Sequence, residues 1–591
     1  MDLKQRIYEA LRKHWGYEAF RSVQEEVILS VLRGQDTLAL MPTGGGKSLT
    51  YQVPALVQEG LCIVVTPLIA LMKDQVDRLR RMGINAVAIH SGLTKRQIEI
   101  ALDNCCFGDV KLLYIAPERL ATELFRTRVQ RMQVSLLAVD EAHCISQWGY
   151  DFRPHYLRIG ALRNLLGDVP VLALTASATE LVRRDIMEHL HFTEGRVICS
   201  SFARPNLSYS IRHTEEKEEQ ILRVLRNVEG SGIIYMRTRE GCEQLAAKLC
   251  DAGVAAAAYH AGLAHHERSE RQEAWVKNEV RVMVATNAFG MGIDKADVRF
   301  VIHYAPCDAL ENYYQEAGRA GRDGKRAYAL LLVGADDERR TIDTLDREFP
   351  PLERVKEIYE RICNYLQLPL GDGKGVSYAF DLYEFCAREH LYEGLVSSAI
   401  KLLQLNGYLT LTDAREHPAR LLFTVSRDDL YKLRLRHEDI DPFLRTLLRL
   451  YNALFTDFQP IDEQEIAHHS GYTVERVHEL LKRLWQLRVI RYIPSNAKPL
   501  LTLHEERLPL ASLYIAPDTY LRRKALMHER FEEMQRYIAN EERCRSRLLE
   551  EHFGKVDERP CGICDLCLAR RRRERAAAET TTQAADGKKC E

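Results

Sequence analysis

The sequence predicts an α/β protein made of two parallel-sheet lobes, a mainly α region with winged-helix-like units, and a small cysteine-clustered module. Three observations carry this. Up to about residue 345, short apolar runs rich in β-formers alternate with turn residues and helical stretches, in two successive sets. Beyond about residue 350 the strands thin out and helical patterns dominate. Four of the fifteen cysteines then gather near the C-terminal end.

The first set of strand candidates is TLALMP, CIVVTP, KLLYIAP, SLLAVDEAH and PVLALTASAT; the second is SGIIYM, VAAAAYH, VRVMVATN and RFVIHYA. Strands that alternate with helices close into parallel sheets covered on both faces. Two sets therefore mean two lobes, 1–205 and 206–350, joined near FARPNL (202–207). In the region 351–505, residues 395–425 read as a helix, a glycine and two short strands around a turn, and 461–503 as helix, turn, helix and hairpin. Both resemble winged helices; a helical domain with incidental hairpins is the competing reading. A helical module at 506–570 holds the clustered cysteines, and the polar, basic tail 571–591 is expected to be disordered.

Composition narrows the function class. Hydrophobic residues make up 46%, ordinary for globular domains. No run of about 18 apolar residues occurs, and the N-terminus MDLKQRIYEALRKHWGYE is charged and amphipathic rather than a signal peptide. The expectation is a soluble cytoplasmic protein with no membrane contact. The net charge of −1 gives no whole-chain nucleic-acid signature, so a polyanion would be held by local patches.

The strongest motif is MPTGGGKSLTYQ (41–52), set between an apolar run and a helical pattern. Thr43, Gly44, Gly45 and Gly46 let the backbone turn its N–H groups toward phosphate oxygens, Lys47 reaches the terminal phosphates, and the Ser48 hydroxyl suits Mg²⁺. Met41 stands where the usual pattern has its first glycine. Asp140, ending SLLAVD, fits a magnesium-holding carboxylate, and Glu141 a group that orients and deprotonates water. QEAGRAGRDG (315–324) offers Arg319 and Arg322, three apart on one expected face, as positive charges for the transition state; the bland alternative is a solvated basic turn.

These motifs, in this order, resemble the RecQ family of superfamily 2 DNA helicases from about residue 10 to 345. The resemblance implies RecA-like lobes, ATP as substrate and 3′→5′ unwinding. WGYEAFRSVQ (15–24) is similar to the family's adenine-reading motif, implying that Tyr17 stacks on the base while Arg21 and Gln24 bond to ATP. The aromatic stretch after DEAH resembles a loop that senses single-stranded DNA, with Trp148, Phe152 and Arg153 as DNA contacts; aromatic faces stack on any base for about 1–3 kcal/mol each. Tyr150 replaces the family's usual histidine. An interface core is the competing reading of Trp148 and Phe152.

Cys544, Cys561, Cys564 and Cys567 have the spacing of a closed tetrahedral Zn²⁺ site, with His552 and Asp565 as weaker substitutes. The family usually places this element directly after the lobes, whereas here it follows some 200 residues later. Two turns, DAREHPAR (413–420) and IPSNAKP (493–499), are both candidate strand-separating wedges, and an inert wing is the third option. Arg570–Arg573 with Arg575 reads as a phosphate-backbone contact, a targeting signal or a solvated tail.

The leading expectation is a monomeric, DNA-dependent ATPase that translocates on single strands and unwinds duplex or branched DNA in repair and recombination. The alternatives are an RNA-stimulated ATPase and an ATP-gated clamp on branched DNA. Protein partners and the preferred DNA structure are not legible.

Overall fold

The computed structural model describes residues 2–587 apart from 43, 91–92, 94, 147–151, 291–294, 412–418, 426–428, 431–439, 452–453, 456–458, 494–498 and 555–558. The chain divides into two units, one of residues 1–345 with 523–591 and one of residues 346–522.

In the first unit, strands β1 (Thr37–Leu40), β2 (Leu61–Val65), β3 (Ala86–Ile89), β4 (Leu112–Ile115), β5 (Val134–Val139), β6 (Val171–Thr175) and β7 (Arg196–Cys199) form one sheet, ordered β3-β4-β2-β5-β6-β1-β7. β8 (Leu207–His213), β9 (Ser231–Tyr235), β10 (Ala256–Tyr259), β11 (Val282–Ala285), β12 (Val298–His303) and β13 (Ala327–Val333) form a second, ordered β10-β11-β9-β12-β13-β8. Every pairing described in both sheets is parallel. Central strands such as β1, β2 and β6 are buried along their whole length, so their continuous apolar runs face helices on both sides. The order β5-β6-β1 brings the C-terminal ends of β1 and β5 to either side of β6, where parallel sheets present ligand-binding loops.

The cysteine module returns to these lobes. Phe531, Met534, Tyr537, Leu549 and Phe553 join the apolar cluster that also holds Leu137 and Tyr156 of the first lobe and Tyr209 and Tyr313 of the second. Ser208 Oγ donates to the Ile563 carbonyl, Ile211 N–H to the Asp565 carboxylate at 2.9 Å, and Arg183 to the Phe553 carbonyl. The 200-residue separation seen in sequence is an insertion, and the module lies against both lobes.

The inserted unit corrects the sequence reading of its winged helices. β14 (Ser377–Ala379), helices Leu382–Glu389 and Glu393–Leu405, and β15 (Leu409–Leu411) belong with β19 (Leu500–Leu503), in the antiparallel order β14-β19-β15. Between β15 and β19 lies a second unit of the same kind. It comprises β16 (Ala419–Phe423), helix Asp441–Leu450, β17 (Gln459–Ile461), helices Glu463–Ser470 and Val474–Gln486, and β18 (Ile490–Ile493), ordered β17-β16-β18. Neither 395–425 nor 461–503 is self-contained, because β15 and β16, like β18 and β19, enter different sheets. One winged-helix-like fold is threaded into the wing of another. The inner one closes its own core with Leu421, Phe443, Leu447, Leu481 and Leu484.

Two boundaries move. Residues 506–522 belong to the inserted unit rather than the cysteine module, because Arg507 reaches the Leu368 carbonyl and Leu508 N–H donates to the Tyr359 hydroxyl at 3.0 Å. Residues 571–587 continue the helix Asp565–Gly587 instead of being disordered; arginine, alanine and glutamate are strong helix formers. Among the described residues no helix is long and apolar enough to cross a membrane.

Candidate active site and zinc module

The phosphate loop leaves the C-terminal end of β1 and runs into the helix Leu49–Val57. Met41 N–H donates to the Thr175 carbonyl at 3.0 Å, and its side chain is buried in the sheet core, so this position extends β1 and has no use for glycine. Gly44 (φ +78°) and Gly46 (φ +73°) take left-handed conformations. Space tightens the demand: a Cβ on Gly46 would lie 2.4 Å from Gln24 Nε2, and one on Gly44 3.0 Å from Arg322 Cγ. Thr43 lies outside the described residues.

Lys47 Nζ stands 3.4 Å from Glu141 Oε1. Glu141 has φ +48° at the end of β5, with its N–H donating to Asp140 Oδ1 at 3.0 Å. Burial pushes the Asp140 carboxyl up to about 6, against the pull of Lys47. Burial also opposes the charge on Glu141, but Lys47, His143 and Arg319 together hold its carboxyl below the usual range. Sequence reasoning gave His143 no role. It is fully buried, its Nδ1 lies 3.0 Å from Thr175 Oγ1 and 3.4 Å from Glu141 Oε2, and it links the acid to the end of β6. Only the sheet order, which makes β5 and β6 neighbours, reveals this link.

The second lobe completes the arrangement. Arg319 and Arg322 do not share a helix face: helix Leu310–Ala317 ends before them, and Gly321 (φ +66°) bends the chain into a turn. They still converge on the first lobe. Arg322 lays its stem on Gly44, and Arg319, 3% exposed, contributes to holding Glu141 ionised. Tyr17 and Arg21 are exposed together, with the guanidinium 5.9 Å from the ring centroid. Gln24 is buried: its Nε2 donates to the Gly45 and Gly46 carbonyls at 3.1 Å, and its Oε1 accepts from Arg21 N–H at 2.8 Å.

Of the aromatic segment, Trp148 and Tyr150 lie outside the described residues. Phe152 and Arg153 are half-buried where it rejoins the lobe. Arg153 N–H donates to the Cys144 carbonyl at 2.9 Å, and Cys144 N–H to the Glu141 carbonyl at 2.9 Å. Tyr156 O–H donates to the Asp140 carbonyl at 3.0 Å. The base of the aromatic segment is thus two backbone hydrogen bonds from Glu141, the candidate catalytic carboxylate.

Cys544, Cys561, Cys564 and Cys567 bring their sulfurs within 4.8 Å of one another. Backbone N–H groups of Cys561, Cys564 and Cys567 point at the sulfurs of Cys544, Cys561 and Cys564 at 3.2–3.4 Å, a donor set that suits thiolates around zinc. Asp565 and His552 are employed elsewhere. Asp565 accepts from Arg545 at 2.7 Å and from the Ile211 amide, while His552 sits between Glu311 (3.4 Å) and Glu533 (3.3 Å). The exposed Arg570–Arg573 run lies on the helix that starts at Asp565. The wedge candidates fall mostly on residues 412–418 and 494–498, outside the described residues.

Four family models match in chain order: DEAD/DEAH box helicase (21–184), helicase conserved C-terminal domain (216–324), RecQ helicase winged-helix domain, Bacteroidota (421–494) and RecQ zinc-binding (512–568). The ATP-dependent DNA helicase RecQ of Pasteurella multocida is 46% identical over 57% of this chain and 53% of its own, and that of Bacillus subtilis 44% identical over 60% and 61%. The probable ATP-dependent DNA helicase RecS of Bacillus subtilis is 37% identical over 62% of this chain and 77% of its own. The chain belongs to the RecQ helicase family. It spans about half the length of the RecQ relatives it matches at 46% and 45% identity. The fold of the DUF1998 helicase MrfA, solved with DNA and AMPPNP, is similar at a TM-score of 0.50 and 20% identity, covering 58% of this chain and 52% of that one. Within the RecQ family the matched winged-helix model falls on the inner of the two nested units.

Proposed function

We propose that the chain is an ATP-dependent DNA helicase that moves 3′→5′ on single strands and separates duplex or branched DNA. The Lys47–Glu141 pair at 3.4 Å, with Arg319 of the second lobe among the cations that hold Glu141 ionised, carries the reading. Phosphoryl transfer to water asks for positioning and charge neutralisation rather than covalent chemistry, and these groups supply both. Ser48 and Asp140 would hold Mg²⁺, which neutralises phosphate charge when bound. The loop glycines offer backbone N–H groups to the phosphates, Tyr17 and Arg21 present an open face for the base, and Lys47 leaves Glu141 for the terminal phosphate. Glu141, relieved of its cation, then orients and deprotonates water, while Arg319 and Arg322 meet the charge of the transition state. Gln24 must trade its bonds to the phosphate loop for a bond to the nucleotide.

Trp148, Phe152 and Arg153 are assigned to single-stranded DNA. The short path from Arg153 through Cys144 to Glu141 is the route by which their rearrangement reaches the acid. The exposed arginines after the zinc ligands add a phosphate-backbone contact. On the same reading both halves of the site belong to one chain, so turnover requires no oligomer, and the protein works in the cytoplasm beside nucleoid DNA.

The test is ATP hydrolysis with and without single-stranded DNA or RNA, for the wild type and Trp148→Ala, alongside unwinding of a duplex with a 3′ tail. DNA-selective stimulation and unwinding that both collapse in Trp148→Ala, with DNA binding kept, support the helicase. Stimulation without unwinding would replace it by a clamp or translocase, and stimulation by RNA alone by an RNA-dependent enzyme.

A further inference from the structure

The segment FARPNL, legible in sequence only as the connection between lobes, carries chemistry of its own. Arg204 donates from Nη1 to the Gly318 carbonyl at 2.9 Å and from Nη2 to the Ala320 carbonyl at 2.7 Å. These two carbonyls flank Arg319. Two residues on, Asn206 Nδ2 donates to the carbonyls of Gly321 (2.7 Å) and Lys325 (2.8 Å), which bracket Arg322. The approach is close enough that a Cβ on Gly321 would lie 2.5 Å from Asn206 Nδ2, and Gly321 already has φ +66°. Tyr314, just upstream of the turn, donates its hydroxyl to the Phe202 carbonyl at 3.0 Å, and Phe202 stacks on Phe553 of the zinc module at 4.9 Å.

The turn lies between helix Leu310–Ala317 and β13. Its amides bond locally (Arg319 N–H to Glu316, Ala320 N–H to Ala317) and to Val298 and Ala296, but the carbonyls of Gly318 and Ala320, on either side of Arg319, both accept from Arg204. Side chains of the connecting segment add a restraint at the arginines themselves, by two planar donor groups that fit carbonyl pairs. Because the same segment is the covalent link between lobes, any rotation of one lobe on the other is delivered to the turn through these bonds. We propose that Arg204 is a positioning residue for Arg319, and Asn206 for Arg322, coupling lobe closure to the placement of the two arginines beside the terminal phosphate. The inference rests on the ATPase reading above. A displacement of about 1 Å in a catalytic group costs on the order of 100-fold in rate, so a residue that touches neither nucleotide nor DNA can control turnover.

The test uses the full chain with zinc bound and measures kcat and KM for ATP with saturating single-stranded DNA. Arg204→Ala is expected to lower kcat about 10- to 100-fold with KM for ATP within about twofold. Arg204→Lys, able to reach one carbonyl but not grip both, should fall between. The double variant Arg204→Ala/Arg319→Ala should be no slower than Arg319→Ala alone, since a residue acting through Arg319 has nothing left to position. Asn206→Ala, which leaves the Arg204 fork in place, gives a second reading should Arg204→Ala lack a cooperative melting transition. Losses that multiply in the double variant, a change confined to KM, or full kcat in both Arg204→Ala and Asn206→Ala would overturn the assignment while leaving the ATPase reading intact. A wild type without DNA-stimulated hydrolysis would overturn both.

Discussion

The zinc module and the inserted unit follow the same two lobes in sequence, yet they are built on opposite principles. The module places Phe531, Met534, Tyr537 and Phe553 into one apolar cluster with both lobes, and adds a buried ionic contact from His552 to Glu311. Among the described residues, the buried cluster of the inner winged-helix unit, from Ala419 to Tyr492, is made of that unit's own side chains. A shared core makes two elements one cooperative body, whereas a private core lets an element melt alone.

The largest effect expected from this contrast is loss of zinc. Stripping the metal with a chelator, or Cys564→Ser, should lower the main melting transition by on the order of 10 °C, because the module's packing helix goes with it. Calorimetry with metal analysis checks this; a small separate transition with the main one unmoved would break the comparison.

Next in size is Phe443→Ala, which opens a fully buried site in the inner unit. It should cost about 3–5 kcal/mol in that unit's own transition and leave the main transition and the DNA-stimulated ATPase unchanged.

His552→Ala removes one partner of a buried charge pair and should cost the main transition about 3 kcal/mol, with Arg530, 3.8 Å from Glu311, limiting the loss. The pair also sets a pH window. Burial opposes the charge on both groups, but Glu311 is held below its ordinary value by His552 and Arg530, so its contribution is complete above about 4.5 and lost as pH falls through its depressed pKa. His552 is raised by Glu311 and Glu533, against burial and Arg530, so its contribution is complete below about 6.5 and lost as pH rises through its elevated pKa. The melting difference between wild type and His552→Ala should peak between these limits.

The smallest effect is expected from replacing residues 412–499 with a short turn. The ATPase and the main melting transition should be unchanged, and circular dichroism should show only the helices of the inner unit missing.

The lobes, the phosphate-loop motif and the cysteine module were legible because their pattern is local. Strand, glycine loop, lysine and serine are contiguous, and the four cysteines carry their spacing with them. Reading failed where a partner is remote. β15 and β16 look like one hairpin in sequence, but β15 pairs with β19, with the inner unit lying between them in the chain. Asp565 has the look of a spare metal ligand until Arg545 and the Ile211 amide are seen to occupy it. Arg204 left no pattern at all, since side-chain bonds to another segment's carbonyls impose no residue type on that segment. The arginine turn was misjudged as a helix face because the spacing of three suits a helix, whereas the helix stops at Ala317 with Gly318 as its cap and Gly321 bends the chain.

Leu411 faces Leu501 across the β15–β19 pair, so the inner unit leaves the chain and rejoins it at adjacent points. A segment with neighbouring ends can be gained or lost in a single genetic event, without disturbing the host's strand order. Inheritance of the lobes and of this segment need not run together, and a phylogeny drawn from the motor would then say little about when the passenger arrived.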